Sequence, residues 1–124
     1  MARGAQFVQH KGKDIYYVDY SNIKSNEEFL QTIKETNAFR EKVRSEGIRD
    51  LLILVDISGS YAYGQVLDEL KKSGRITKDL SKKEAIVGIT KSQKILLQII
   101  KTFTRMQLTM FNTVEEAKDW LVKD

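Results

Sequence analysis

The chain has 124 residues, 41% hydrophobic and 31% charged, with a net charge of +4, no cysteine, no proline and one histidine. That is the composition of one soluble domain large enough to bury its own core. It excludes disulfides, thiolate metal sites, cysteine nucleophiles and multi-histidine metal sites, and leaves His10 too isolated for a histidine-based triad.

The charge is unevenly spread. Ten Lys or Arg stand against two acids between Lys71 and Arg105, a local +8 that leaves −4 for the rest of the chain. Such asymmetry fits either an anionic partner or solvated helix faces and loops. The opening MARGAQFVQH lacks the apolar core of a secretory signal, and the apolar stretch Ile95–Ile100 is too short to span a bilayer. The expectation is a soluble, cytoplasmic protein without a transmembrane segment.

In chain order, Phe7–Gln9 and Ile15–Tyr20 read as two short strands joined across Lys11-Gly12-Lys13-Asp14, a hairpin signal. Tyr16, Val18 and Tyr20 alternate with Tyr17 and Asp19, which predicts a sheet with one face half exposed. Ser25 with Glu28 three residues on is a capping box, and it opens a helix whose Phe29, Ile33, Thr36 and Val43 keep an approximate helical period. Gly47 is placed to end that helix near Glu46 as the left-handed residue beyond the cap. Lys34–Asn37 is polar all round, which predicts a looser or bent middle.

Leu51–Val55 is an unbroken apolar run, the pattern of a strand buried on both faces at the centre of an α/β sheet. A second helix is predicted through about Lys72, with Ser73-Gly74 ending it and Arg75–Lys83 as a basic connecting loop. Glu84–Thr90 reads as the next buried strand, and Gly88 within it predicts close approach by a neighbouring element. Lys91–Phe103 reads as a third helix, Gln107–Phe111 as a further strand, and Thr113 with Glu116 as a capping box for a terminal helix whose Ala117, Trp120 and Leu121 face the core. The order β-β-α-β-α-β-α-β-α predicts an α/β fold: a mostly parallel sheet with right-handed crossovers and an antiparallel N-terminal edge hairpin.

Asp56 and the hydroxyls behind it lie just past the carboxyl end of the central strand, where open α/β sheets place their ligands. Asp56 reads either as a strand-end acid accepting bonds from the loop it opens or as a functional carboxylate. Ser58 and Ser60 read as turn and N-cap residues for the second helix, or as phosphorylation sites where about −1.5 to −2 added charges would change partner affinity. Tyr61 and Tyr63 read as an exposed aromatic edge or as lids on the core. Lys91, Lys94, Gln98, Lys101 and Arg105 share one helix face, and the helix start at Thr90–Gln93 has free N–H groups for an anion.

Three pieces, LLILVDISG, KKEAIVGIT and TMFNTVEEAKDWL, resemble the SpoIIAA-like proteins, the broad group that includes STAS domains and the Sec14-like lipid-binding fold. In that group a strand ends in Asp-x-Ser-Gly, a Lys-Val-Ala-Val-Val-Gly-like strand follows, and a Phe-x-x-x-x-Glu-Ala-x-x-Trp-Leu ending closes the chain. The resemblance covers about residues 50–124 and implies one β-α superhelical SpoIIAA-like domain over residues 1–124. STAS-type antagonists carry an Asp-Ser-Ser/Thr-Gly loop with a phosphorylated serine. This chain departs from that string, and Ser58-Gly59-Ser60 after Asp56 is what it offers instead.

Asp56 with Thr90 also resembles the phosphoacceptor pair of a response-regulator receiver. That chemistry requires further acids to hold Mg²⁺ and a lysine after the last strand, where Asn112-Thr113 stand, so the receiver reading is rejected. Nothing in the sequence assembles a nucleophile, a base and an oxyanion hole, and no catalytic residue, cofactor or metal is assigned.

The leading expectation is a non-enzymatic regulatory or protein-interaction module. Its contact residues are Asp56, Ser58, Gly59, Ser60, Tyr61, Tyr63, Thr90, Lys91 and Lys94, with Ser58 or Ser60 as the phosphorylation switch. The alternative is a binder of a small apolar or lipid-like ligand, its anionic head group beside the basic helix. The first predicts an exposed loop and no deep cavity, the second an apolar pocket of roughly a few hundred Å³. An unrecognised hydrolase ranks third, and nucleic acid is the weaker partner for the basic face.

Overall fold

The computed structural model describes residues 4–61, 63–89 and 107–123. The third predicted helix, the contact residues Thr90, Lys91 and Lys94, and the basic face with Gln98, Lys101 and Arg105 lie outside the described residues.

Strands β1 (Gly4–His10) and β2 (Lys13–Asp19) form the predicted hairpin, with a loop shortened to two residues. Lys11 and Gly12 both have positive φ, 50° and 81°, the conformation whose twist matches a two-residue hairpin. Helix α1 (Asn26–Ser45) crosses to β3 (Leu51–Asp56), and helix α2 (Gln65–Leu80) crosses to β4 (Ser81–Val87). Strand β5 (Gln107–Phe111) and helix α3 (Val114–Leu121) follow. The sheet order is β1-β2-β3-β4-β5, antiparallel between β1 and β2 and parallel thereafter.

Strand β3 is central, and its apolar run is explained by layers on both faces. Ile53 points into a cluster with Tyr16, Val18, Phe29, Ile33, Val66 and Leu70, under α1 and α2. Its neighbour Leu54 points the other way, into a cluster with Ile15, Ala85, Val87, Ala117 and Leu121, under α3. Both side chains are fully buried, and truncating either to alanine would cost about 2–5 kcal/mol.

The caps hold as written in the sequence. Ser25 Oγ accepts from the Glu28 N–H at 3.2 Å, and Thr113 Oγ1 from the Glu116 N–H at 3.2 Å. Gly47 follows the C-cap Glu46 with φ +81°.

Three expectations are corrected. Helix α1 runs unbroken from Asn26 to Ser45, and its middle is not polar all round in its surroundings: Lys34 and Glu35 are exposed, but Thr36 and Asn37 are buried. Asn37 Nδ2 donates to the Glu69 carbonyl at 3.3 Å and its Oδ1 accepts from Ser73 Oγ at 2.5 Å, so α2 supplies the polar partners.

Second, Ser73-Gly74 does not end α2. Leu70, Ser73, Gly74, Thr77 and Leu80 form its buried stripe, and the helix passes directly into β4 at Ser81 where a basic loop is predicted. Two small residues that read as a stop are instead the flat patch where α2 meets α1. Third, β4 begins three residues earlier and ends at Val87, which leaves Gly88 in the turn beyond the strand.

Candidate functional site

The carboxyl ends of β2, β3 and β4 lie side by side and their following turns are stitched together. Past the strands, the Tyr20 N–H donates to the Asp56 carbonyl (2.8 Å), the Asn22 N–H to the Ser58 carbonyl (2.7 Å) and the Ile57 N–H to the Val87 carbonyl (2.9 Å). Asp56, the last residue of β3, is buried and accepts the Ser58 N–H at 3.0 Å through Oδ1. This is the local turn that a strand-end acid makes with the residue two on.

The register sets Asp19, the last residue of β2, opposite Asp56. Asp19 Oδ1 accepts the Ser21 N–H at 2.9 Å and the Ser21 hydroxyl at 2.6 Å. Asp19-Tyr20-Ser21 and Asp56-Ile57-Ser58 are therefore the same device used twice. The sequence reading found only the second, although the repeated Asp-x-Ser after a strand is the signal that marks the first. Tyr17 stands beside the pair: burial first, then the charges of Asp56 and Asp19, push its hydroxyl up to about 12. It is neutral at any physiological pH.

Asp19 thus supplies one acid beside Asp56, but a receiver-type centre does not follow. Each carboxylate is occupied by its own turn, and among the described residues no group of three or more acids, histidines or cysteines is placed to hold a metal. Asn112-Thr113 still follows β5.

Ser60 is buried and does not cap α2, whose N-cap is Gly64. Its hydroxyl donates to the Tyr20 carbonyl at 2.6 Å and accepts the Ile23 N–H at 2.7 Å, tying the turn after β3 to the one after β2. Lys24 Nζ adds a bond to the Gly59 carbonyl at 3.3 Å.

Two glycines make the close packing possible. Gly59 has φ +75°, and a Cβ there would lie 2.2 Å from Asn22 Oδ1. Gly88 has φ +90°, and a Cβ there would lie 2.2 Å from Ser58 Oγ and 2.5 Å from Ser58 Cα. The close approach predicted at Gly88 is made by the backbone of Ser58.

Beyond this base the loop turns outward. Tyr61 and Tyr63 are 64% and 59% exposed, so they are not lids on the core. With Ile23, Lys24, Ser25 and Asn26 at the start of α1, they line an open pocket of about 280 Å³. Asn26 Oδ1 is buried and has no hydrogen-bond partner among the described residues. The sequence reading missed Lys24 and Asn26 because they belong to the connection after β2, brought here only by the β2–β3 register. His10, on the edge strand, pairs with Asp119 at 2.8 Å and plays no part in the site.

A second polar cluster, also unread in the sequence, lies under α1 and α2. Arg40, Glu84, Ser73 and Thr77 are buried, with Tyr20 and Gly74, around a cavity of about 30 Å³. Burial pushes the Glu84 carboxyl up to about 7 against the pull of the Arg40 charge. The Arg40 guanidinium lies beside the Tyr16 hydroxyl and its Nη1 donates to Asn37 Oδ1 at 3.3 Å, while among the described residues its Nε finds no partner of good geometry.

Comparison with known proteins agrees with the geometry. The fold matches a crystal structure of an uncharacterized protein of the DUF3478 family with a SpoIIAA-like fold from Shewanella loihica PV-4. The TM-score is 0.66 at 15% identity, over 98% of this chain and 96% of that one. No functionally curated protein matches the sequence. The SpoIIAA-like family profile matches residues 15–122, reaching across β2 and α1 as well as the later segments that carry the resemblance. The chain belongs to the SpoIIAA-like family.

Proposed function

We propose that this SpoIIAA-like chain is a non-enzymatic protein-interaction module whose contact surface is the 56–63 loop together with the start of α1. The observation that carries the reading is the contrast within the loop. Asp56, Ser58 and Ser60 are fixed by bonds to neighbouring turns, while Tyr61 and Tyr63 stand exposed on that fixed base.

Tyrosine supplies a large contact area at little entropic cost and is enriched at interface hot spots.

In a phosphorylation switch, Ser58 is the acceptor this geometry favours. It is partly exposed, whereas modifying Ser60 would require breaking two buried hydrogen bonds and opening the junction between the turns. The lipid-like reading has less to rest on among the described residues. The cavity between α1, α2 and the sheet holds about 30 Å³, room on the order of one water. The larger hollows, about 280 Å³ beside Tyr61 and Tyr63 and about 290 Å³ over α1 and α2, are lined largely by polar and charged residues such as Lys24, Ser25, Glu41, Glu69 and Lys72.

The test is affinity capture from the native host with the wild-type chain and with Tyr61→Ala/Tyr63→Ala as bait. The proposal expects a defined protein partner lost, by about tenfold or more in recovered amount, with the double variant while its circular dichroism is unchanged. A partner retained at equal level by the double variant would place the interface elsewhere and overturn the proposal.

A further inference from the structure

We propose that β1 is the seam of a two-fold homodimer, in which β1 pairs antiparallel with β1 of a second copy and α1 crosses its counterpart at Phe39. The strand lies at the edge of the sheet, and its seven residues pair with β2 in one unbroken register. Proteins protect such edges with charges, prolines or bulges. Gly4–His10 has no proline and no Lys, Arg, Asp or Glu, and its pairing shows no register shift. Among the described residues nothing pairs with its outer side.

The strand is complementary to itself. The residues that close a two-residue hairpin, His10 and Lys13, exchange both their backbone bonds. Bonding alternates along an antiparallel pair, so Gln6 and Val8 also turn their polar groups toward β2 while Ala5, Phe7 and Gln9 present theirs outward. Antiparallel pairing centred on Phe7 sets Phe7 against Phe7 of the other copy and Ala5 against its Gln9. Every outward N–H and C=O of those three residues then has a partner, and no like charges face each other.

The flanking surface fits the same axis. The Phe7 ring is 5.3 Å from Tyr16, and Tyr16 stacks on Phe39 at 5.7 Å. Tyr16 is buried, but Phe7 and Phe39 are left 45% and 37% exposed. Helix α1 packs over β1, with Thr36 against Gly4, so a two-fold axis through Phe7 brings the two α1 helices together near Phe39.

On α1, Glu35 and Lys42 flank Phe39 at −4 and +3, on one stripe of the helix. An antiparallel crossing at Phe39 places Glu35 opposite Lys42 of the second copy, and the converse. Opposite charges meet on both sides of the axis. The occupant that this edge and this charge pattern fit is another copy of the chain, in a closed isologous contact.

The experiment is sedimentation equilibrium of the full chain between about 1 and 200 µM, a range that spans ordinary weak-to-moderate association. The proposal expects a species of twice the 14.3 kDa monomer mass. Phe7→Lys should abolish it, with circular dichroism checking the fold. Glu35→Lys and Lys42→Glu, both on the helix surface, should each weaken it by about tenfold by setting like charges across the axis. The double variant Glu35→Lys/Lys42→Glu should restore it. A monomer throughout the range, a dimer indifferent to the charge reversals, or a double variant no tighter than either single one would each overturn the proposal.

Discussion

Two polar regions of this protein, both buried, are built on opposite terms. At the ends of the strands, Asp19, Asp56 and Ser60 are buried but bonded to backbone N–H and C=O groups of adjacent turns. Under α1 and α2, Arg40 and Glu84 are equally buried, yet Arg40 is only partly bonded, through Nη1 to Asn37 and beside the Tyr16 hydroxyl. Its Nε finds no partner of good geometry among the described residues, and burial shifts Glu84. Short side chains beside their own backbone satisfy themselves cheaply. Long charged side chains from separate elements leave gaps, and a cavity of about 30 Å³ lies between these. The first region is a rigid platform, and the second is where stability is most exposed to substitution and to pH.

The comparison breaks most sharply at Arg40. Arg40→Ala removes a buried side chain and its bond to Asn37 while Glu84 stays protonated, and should cost about 2–5 kcal/mol in urea unfolding, whereas Arg40→Met/Glu84→Leu should come out near wild type or above it. A double variant as unstable as Arg40→Ala would show that the pair itself stabilises the fold.

Next is Gly88→Ala, which forces a Cβ against Ser58 backbone at a φ of +90°. It should cost about 3 kcal/mol, against about 1 kcal/mol for Gly64→Ala, where φ is also positive but the space is open. Equal losses at the two sites would mean that the platform is not tightly packed.

The pH dependence follows from Glu84. Its carboxyl is raised in the fold, so the folded chain holds a proton that the unfolded chain releases. The stability it contributes is full below the ordinary glutamate value of 4.5 and is lost as pH rises through about 7. Integrated, the loss is about 3 kcal/mol between pH 4.5 and 8. Unfolding free energies at pH 4.5 and pH 8 should differ by that amount less in Glu84→Gln than in wild type, and an unchanged difference would remove Glu84 as the cause. Smaller than the Gly88 and Glu84 effects is that of Ser60→Ala, which leaves the Ile23 N–H and the Tyr20 carbonyl without the hydroxyl that joins them. About 2 kcal/mol is expected at any pH from 5 to 8.

Legibility followed the range of the interactions. The caps at Ser25 and Thr113, the stop at Gly47, the two-faced strand Leu51–Val55 and the glycine at 88 are set by a residue and its near neighbours, and all were readable. Ser73-Gly74 misled because local turn chemistry was weighed above the Leu70–Thr77–Leu80 spacing that continues the helix. Arg40 and Glu84 were unreadable for a different reason. A charged residue on a helix or strand reads as solvent-facing unless its partner is known, and here the partners are 44 residues apart in the chain. At the site, Asp56 through Tyr63 form one segment and were read together, while Asp19, Lys24 and Asn26 join them only through the β2–β3 register.

The central claim is that Tyr61 and Tyr63 face a protein partner from a rigid base. Photo-crosslinking from position 63, with a control at exposed Lys78 on α2, tests it most directly. The account predicts one discrete protein adduct from position 63, absent from position 78 and lost when Gly88→Ala disturbs the base. Adducts of the same pattern from both positions, or none from position 63 while the chain is folded and expressed at its native level, would contradict it.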